Sequence, residues 1–211
     1  MPAKGAACRP PHQWDDLYWC ASVAQIGPMH VRRSARPRKP LNGESLHELA
    51  LFYVGKFATT RAKLVNYLNR KVRERGWDGD REPEIETLVE RIAASGLVDD
   101  ALYAMSKSRL LSERGYGGHR VAQALRAAGI DEEDGAAAQN LAAEEAARSA
   151  LRFARRRHLG PFADVPPDRN GREKALAAMI RAGHRFELAK AVIDAEPGSE
   201  PDLNDLQEKS R

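Results

Sequence analysis

Past residue 41, apolar positions recur every three or four residues and are separated by charged ones, the spacing that amphipathic helices require. Leu46, Leu49, Tyr53 and Phe57 form the first stripe, with Ala50 and Val54 on the same face. Thr59-Thr60 offers an N-cap to a second helix, whose stripe is Leu64, Leu68 and Val72, with Tyr67 beside it. Gly76 suits a left-handed end for that helix, and Trp77 is expected to pack against it. Pro83 fits the first turn of a third helix carrying Ile85, Leu88, Val89 and Ile92, which Gly96 closes. Runs of alternating Val, Ile and Thr are missing, so strands are not expected.

The pattern then starts again. Asp99 caps a helix through Tyr103 and Leu110, and Gly115-Tyr116-Gly117-Gly118 breaks it. Val121, Leu125, Gly129 and Ile130 mark the next helix, and Asp131 caps the one after. The Ala-rich stretch from Ala136 to Ala154 reads as helical, with an interruption near Asn140. After a loop holding Pro161, Pro166 and Pro167, one helix carries Ala175, Met179 and Gly183, and a last one Phe186, Ala189 and Ile193.

Val121, Leu125 and Gly129 align without gaps on Ala175, Met179 and Gly183. The Leu64–Leu68 helix has the same core, but Gly76 comes one helical turn later. The expected fold is therefore all-α: tandem three-helix repeats over 42–98, 99–142 and 143–194, stacked into an elongated, curved body. Residues 1–41 read as a disordered basic arm, broken by prolines and holding Arg32, Arg33, Arg36, Arg38 and Lys39. Met29, just before those basic residues, offers an alternative start of translation. Residues 195–211 read as a disordered acidic tail.

Charge sharpens the picture. The net charge is +4, but Asp194 to Arg211 hold six acids and two bases, which leaves about +8 on the rest (+4 less −4). A basic body suits nucleic acid or an acidic protein surface. The candidate contacts are Arg61, Lys63, Arg70, Lys71, Arg73 and Arg75 in the first unit. Arg109, Arg114, Arg120 and Arg126 follow in the second, and Arg152, Arg155, Arg156 and Arg157 in the third. Lys and Arg at such positions neutralise phosphates and make binding salt-dependent.

Enzyme signatures are missing. Asp99-Asp100 reads as a cap and a first-turn charge rather than an acid–base pair. His47-Glu48 lacks the second histidine of a zinc helix, because Leu51 stands there. The six histidines are scattered, Cys8 and Cys20 lack ligand spacing, and no serine sits in a nucleophile elbow. No catalytic residue, metal or cofactor is expected, nor a membrane span or signal peptide, and a reducing cytoplasmic setting fits the cysteines.

Three segments resemble the RecX family of bacterial recombination regulators. Thr60-Arg61-Ala62-Lys63-Leu64-x-x-Tyr67-Leu68 is similar to the family's S-R-x-E-L-x-x-x-L helix, with Lys63 where an acid is common. Gly96-Leu97-Val98-Asp99-Asp100-Ala101-Leu102-Tyr103-Ala104 is similar to its G-L-[LIV]-D-D-x-x-[FY]-A turn. Arg120-Val121-x-x-x-Leu125-x-x-x-Gly129-Ile130 is similar to its R-[IL]-x-x-x-L-x-x-x-G-[IV]. The resemblance runs from about residue 46 to 193. It implies a modular protein of three-helix repeats that binds the RecA recombinase filament and inhibits its recombinase, ATPase and coprotease activities; a monomer is expected. Recombination, DNA repair and the SOS response would be modulated, with single- and double-stranded DNA as further partners. The alternative is a helix-turn-helix transcription regulator, which needs one recognition helix and a dimer rather than repeated units.

Overall fold

Helix caps and glycine stops set the boundaries. A computed structural model describes residues 39–210, and within them the chain forms ten α-helices and one short 3₁₀ turn. They are α1 (Gly43–Lys56), α2 (Arg61–Arg75), α3 (Ile85–Ala94), α4 (Asp100–Glu113) and α5 (Gly118–Ala127). Then come α6 (Glu132–Glu144), α7 (Ala146–Arg157), the turn Gly160–Phe162, α8 (Arg169–Arg181), α9 (Phe186–Asp194) and α10 (Leu203–Glu208). Asn42, Thr60, Asp99, Asp131 and Asp168 each accept a backbone N–H in the first turn that follows, satisfying donors the helix itself cannot. Among the described residues one isolated β-bridge pairs Leu41 with Trp77, where the Leu41 N–H donates to the Gly76 carbonyl at 2.9 Å.

The buried apolar side chains fall into three clusters. Leu46, Leu64, Leu68, Leu88, Val89 and Ile92 gather α1, α2 and α3. Ala104, Val121, Leu125, Ala138 and Ala142 gather α4, α5 and α6; here small residues bring backbones close, and Ser108 Oγ donates to the Ala138 carbonyl at 2.7 Å. Phe153, Met179, Leu188, Val192 and Ile193 gather α7, α8 and α9.

The same junction joins the clusters twice. The start of α2 meets the end of α5: Thr60 Oγ1 donates to the buried Ala128 carbonyl at 2.6 Å. A β-carbon at Gly129 would lie 2.3 Å from that of Ala62. The start of α5 meets the end of α8 in the same way, with the Gly117 N–H donating to Ala182 at 3.0 Å and the His119 N–H to Gly183 at 3.1 Å. A β-carbon at Gly183 would lie 2.4 Å from the Arg120 nitrogen. Gly129 and Gly183 have φ of +73° and +95°, which only glycine adopts without strain. Behind the second junction lies buried His184, whose Nε2 donates to the Gly115 carbonyl at 3.1 Å while Nδ1 meets no partner. Burial lowers its pKa to about 4, against the raising effect of the Gly115 bond.

Four expectations change. Pro83 precedes α3 instead of opening it, because Glu84 is the cap residue. The break in the Ala-rich stretch falls at Glu145 rather than Asn140. Phe186 is half exposed, and Leu188 and Val192 take the buried positions of α9. Residues 195–211 are not simply a disordered tail. Asp202 caps α10, Leu206 inserts into the third cluster, and Gln207 Nε2 donates to Ala143 O at 2.7 Å. One buried leucine in an acidic segment leaves no periodic signal. The expected arm, apart from its last residues 39–41, lies outside the described residues.

Two tests follow from the junctions. Gly183→Ala should destabilise the fold by about 2–4 kcal/mol in urea unfolding, through a left-handed alanine and a backbone clash. Gly96→Ala, at φ +76° but in open space, should cost only about 1–2 kcal/mol. Neutral His184 stabilises the fold fully above its unfolded pKa. That contribution, about 3 kcal/mol, should be lost as pH falls from about 6.5 to about 4, where the unfolded chain binds the extra proton. His184→Gln should flatten the melting temperature across that window relative to the parent.

Candidate partner-binding surface

The basic side chains differ in what they already hold. On α2, Arg61 and Lys63 belong to the first junction. The Arg61 N–H donates to Asp100 Oδ1 at 3.0 Å, and its guanidinium pairs with Asp134 at 3.3 Å. Lys63 Nζ donates to the Tyr103 hydroxyl at 2.5 Å and lies 4.5 Å from the centroid of that ring. Arg75 donates twice to the Lys39 carbonyl, at 3.1 and 2.9 Å, beside the Leu41 bridge. Lys71 and Arg70 face Glu74, at 2.5 and 3.7 Å. Arg73 is exposed. These cations therefore do not form one free row.

On α4 and α5, Arg109, Arg114, Arg120 and Arg126 are all exposed. Arg120 donates to Gln123 Oε1 at 2.8 Å, an exposed local contact that a partner can replace. On α7, Arg152 is half-buried: Nε donates to the Ser112 carbonyl at 3.1 Å and Nη2 to Glu145 at 2.8 Å. Arg156 donates to the Arg114 carbonyl at 2.5 Å, and Arg155 lies over the Phe162 ring at 4.8 Å. Arg155, Arg156 and Arg157 also occupy the last turn of α7, where positive charge opposes the helix dipole.

The ends of α4 and α7 thus bring Arg114, Arg152 and Arg156 together. Arg148, missed in the sequence, joins them and pairs with Glu145 at 2.9 Å. Its signal was readable, because Arg148, Arg152 and Arg156 follow each other at i, i+4 and i+8. The bond from Arg152, with a further one from Arg148, holds the Glu145 carboxyl below the usual range. Two carboxylates, Glu145 and the adjoining Glu113, against four guanidiniums leave the cluster positive.

Asp99 caps α4, accepting the Leu102 N–H at 2.8 Å. Asp100 does more than charge the first turn. It is buried and ties α4 to the start of α2 through Arg61. Burial pushes its carboxyl up, against the pull of the Arg61 N–H and guanidinium.

This arrangement offers exposed cations on a scaffold of helices, and among the described residues no helix is long and apolar enough to cross a membrane. No protein-family model matches the chain. A regulatory protein RecX from Myxococcus xanthus (strain DK1622) is 35% identical over 177 residues, spanning 79% of this chain and 92% of that protein. The crystal structure of RecX from Lactobacillus salivarius superposes with a TM-score of 0.53 at 20% identity, covering 71% of this chain and 93% of that one. A second crystal structure of regulatory protein RecX gives 0.52 at 23% identity, covering 72% and 70%. The identity to the bacterial relative, sustained over nearly its whole length, shows that this chain belongs to the RecX family of regulatory proteins.

Proposed function

We propose that this protein binds the RecA recombinase filament in the cytoplasm and inhibits its recombinase, ATPase and coprotease activities, thereby modulating recombination, repair and the SOS response. The observation that carries the reading is family membership. Tandem three-helix repeats suit it, because a body built from successive units can engage neighbouring filament subunits and gain effective concentration from several weak contacts. Of the candidate basic residues, Arg70, Arg73, Arg109, Arg114, Arg120, Arg126, Arg155, Arg156 and Arg157 are exposed, as is Arg148, and can meet acidic recombinase surface or phosphate. Arg61, Lys63, Arg75 and Arg152 act instead by holding the helices in place. The protein works as a monomer with no cofactor and catalyses no reaction of its own.

RecA ATPase on single-stranded DNA, with this protein added well below one copy per recombinase, tests the reading. Clear inhibition is expected. An unchanged rate, with tight binding to one specific duplex instead, would favour a transcription regulator. In the same assay Arg126→Ala and Arg73→Ala together should weaken inhibition and its salt dependence while leaving the melting temperature unchanged. Arg61→Ala should lower the melting temperature, since it removes the Asp134 pair and leaves Asp100 less compensated.

A further inference from the structure

Where α4 runs between the end of α1 and the end of α7, exposed leucines give way to arginines at corresponding positions. Counted from Asp100 and Ala146, the fifth and ninth residues of α4 and α7 are Ala104 and Ser108 in one and Ala150 and Ala154 in the other. All four are fully buried, which puts the two helices in register. The third, seventh and eleventh residues then correspond on the outside: Leu102, Ser106 and Leu110 on α4, and Arg148, Arg152 and Arg156 on α7. The connections agree. Phe57 stands three residues before the cap Thr60 and lines a groove with Leu102 and Leu110. Arg114 stands three residues before the cap Gly117, and its carbonyl accepts the Arg156 bond. One set of positions is apolar at the first junction and basic at the second.

The groove at the first junction has a volume of about 520 Å³ and includes Leu97 and Lys107 in its lining. Leu102 is 65% exposed, Leu97 55%, Phe57 48% and Leu110 40%. Large apolar side chains gathered and exposed in this way mark an interaction surface. Charge tells what covers it. Lys107 lies in the groove, and its one carboxylate, Asp99, is taken up as the α4 cap. Leu102 and Leu110 lie on α4 and Arg114 caps its end, so the groove and the arginine cluster adjoin along one helix, spanning ~18 Å from Leu102 to Arg114 at 1.5 Å per residue. Around the arginines, Glu145 is engaged by Arg148 and Arg152, and Glu113 is the other carboxylate adjoining on α4.

We infer that this composite face docks a protein segment that places apolar side chains in the Leu102–Leu110 groove and carboxylates on the Arg114–Arg148–Arg156 cluster. A nucleic acid supplies the anionic half but not the other. Bases stack on aromatic or guanidinium planes, whereas three of the groove's four large exposed apolar side chains are leucines, with Phe57 the fourth. The inference rests on the proposed function in one respect: it takes the segment to belong to the recombinase.

The test compares the full chain with Leu102→Gln/Leu110→Gln and with Arg148→Glu. Both changes fall on exposed side chains; circular dichroism should give unchanged melting for the leucine variant and a slightly lower melting temperature for Arg148→Glu, which loses its pair with Glu145. Binding is measured to RecA filaments on single-stranded DNA and, separately, to the same DNA without recombinase. Each variant should lose about tenfold or more in filament affinity, and the leucine variant should bind bare DNA like the parent. If the parent binds filaments and the leucine variant binds them equally well, the docking face is overturned while the functional reading stands. If the leucine variant loses bare-DNA binding to the same extent, the face serves nucleic acid and the inference is overturned. If the parent itself ignores the filament, the functional reading fails and takes this occupant with it.

Discussion

A carbonyl at the end of one middle helix, met by a donor at the start of another, is the contact on which the rest of the structure depends. Thr60 supplies the donor to Ala128, and the Gly117 N–H supplies it to Ala182. Both carbonyls belong to the last turn of a helix, where no intrahelical partner exists, so each junction satisfies a group that burial would otherwise leave stranded. The backbones come close enough that Gly129 and Gly183 cannot carry a side chain. Each cluster of apolar residues is small, and such units gain stability by covering one another. The end of α2 is met in the same way, with the Leu41 N–H donating to Gly76 O.

This constraint sorts the charges. Because the junctions must be tied laterally, Arg61, Lys63, Asp100 and Asp134 are drawn inward at the first and Arg152 and Glu145 near the second. What remains outside is uneven. Leucines cluster beside the first junction and guanidiniums beside the second, on one side of α4. Corresponding helices therefore present two different chemistries on their outer faces, apolar on α4 and basic on α7.

Much of the fold was legible in the sequence because its signals are local. Asp99, Asp131 and Thr60 are caps at the positions their chemistry suggested, and Gly76, Gly129 and Gly183 close the middle helices at positive φ. What escaped depends on partners distant in the chain. Asp100 looked like a surface charge, and only the approach of α2, thirty-nine residues away, buries it. Leu206 is one apolar residue in an acidic run, and its burial depends on a core made by α7 and α9. Recurring arginines suggested a track, but composition cannot tell a cation that holds a carbonyl from one that faces water. The apolar groove was invisible for the same reason: Leu102 and Leu110 fit helical spacing whether they point inward or out.

Hydrogen–deuterium exchange of this protein, alone and with RecA filaments on single-stranded DNA, bears most directly on the central claim. The account predicts slowed exchange concentrated in peptides spanning residues 96–114 and 146–157, with bare DNA failing to reproduce it over the first of these. Protection confined to other helices, or the same pattern with DNA alone, would contradict it.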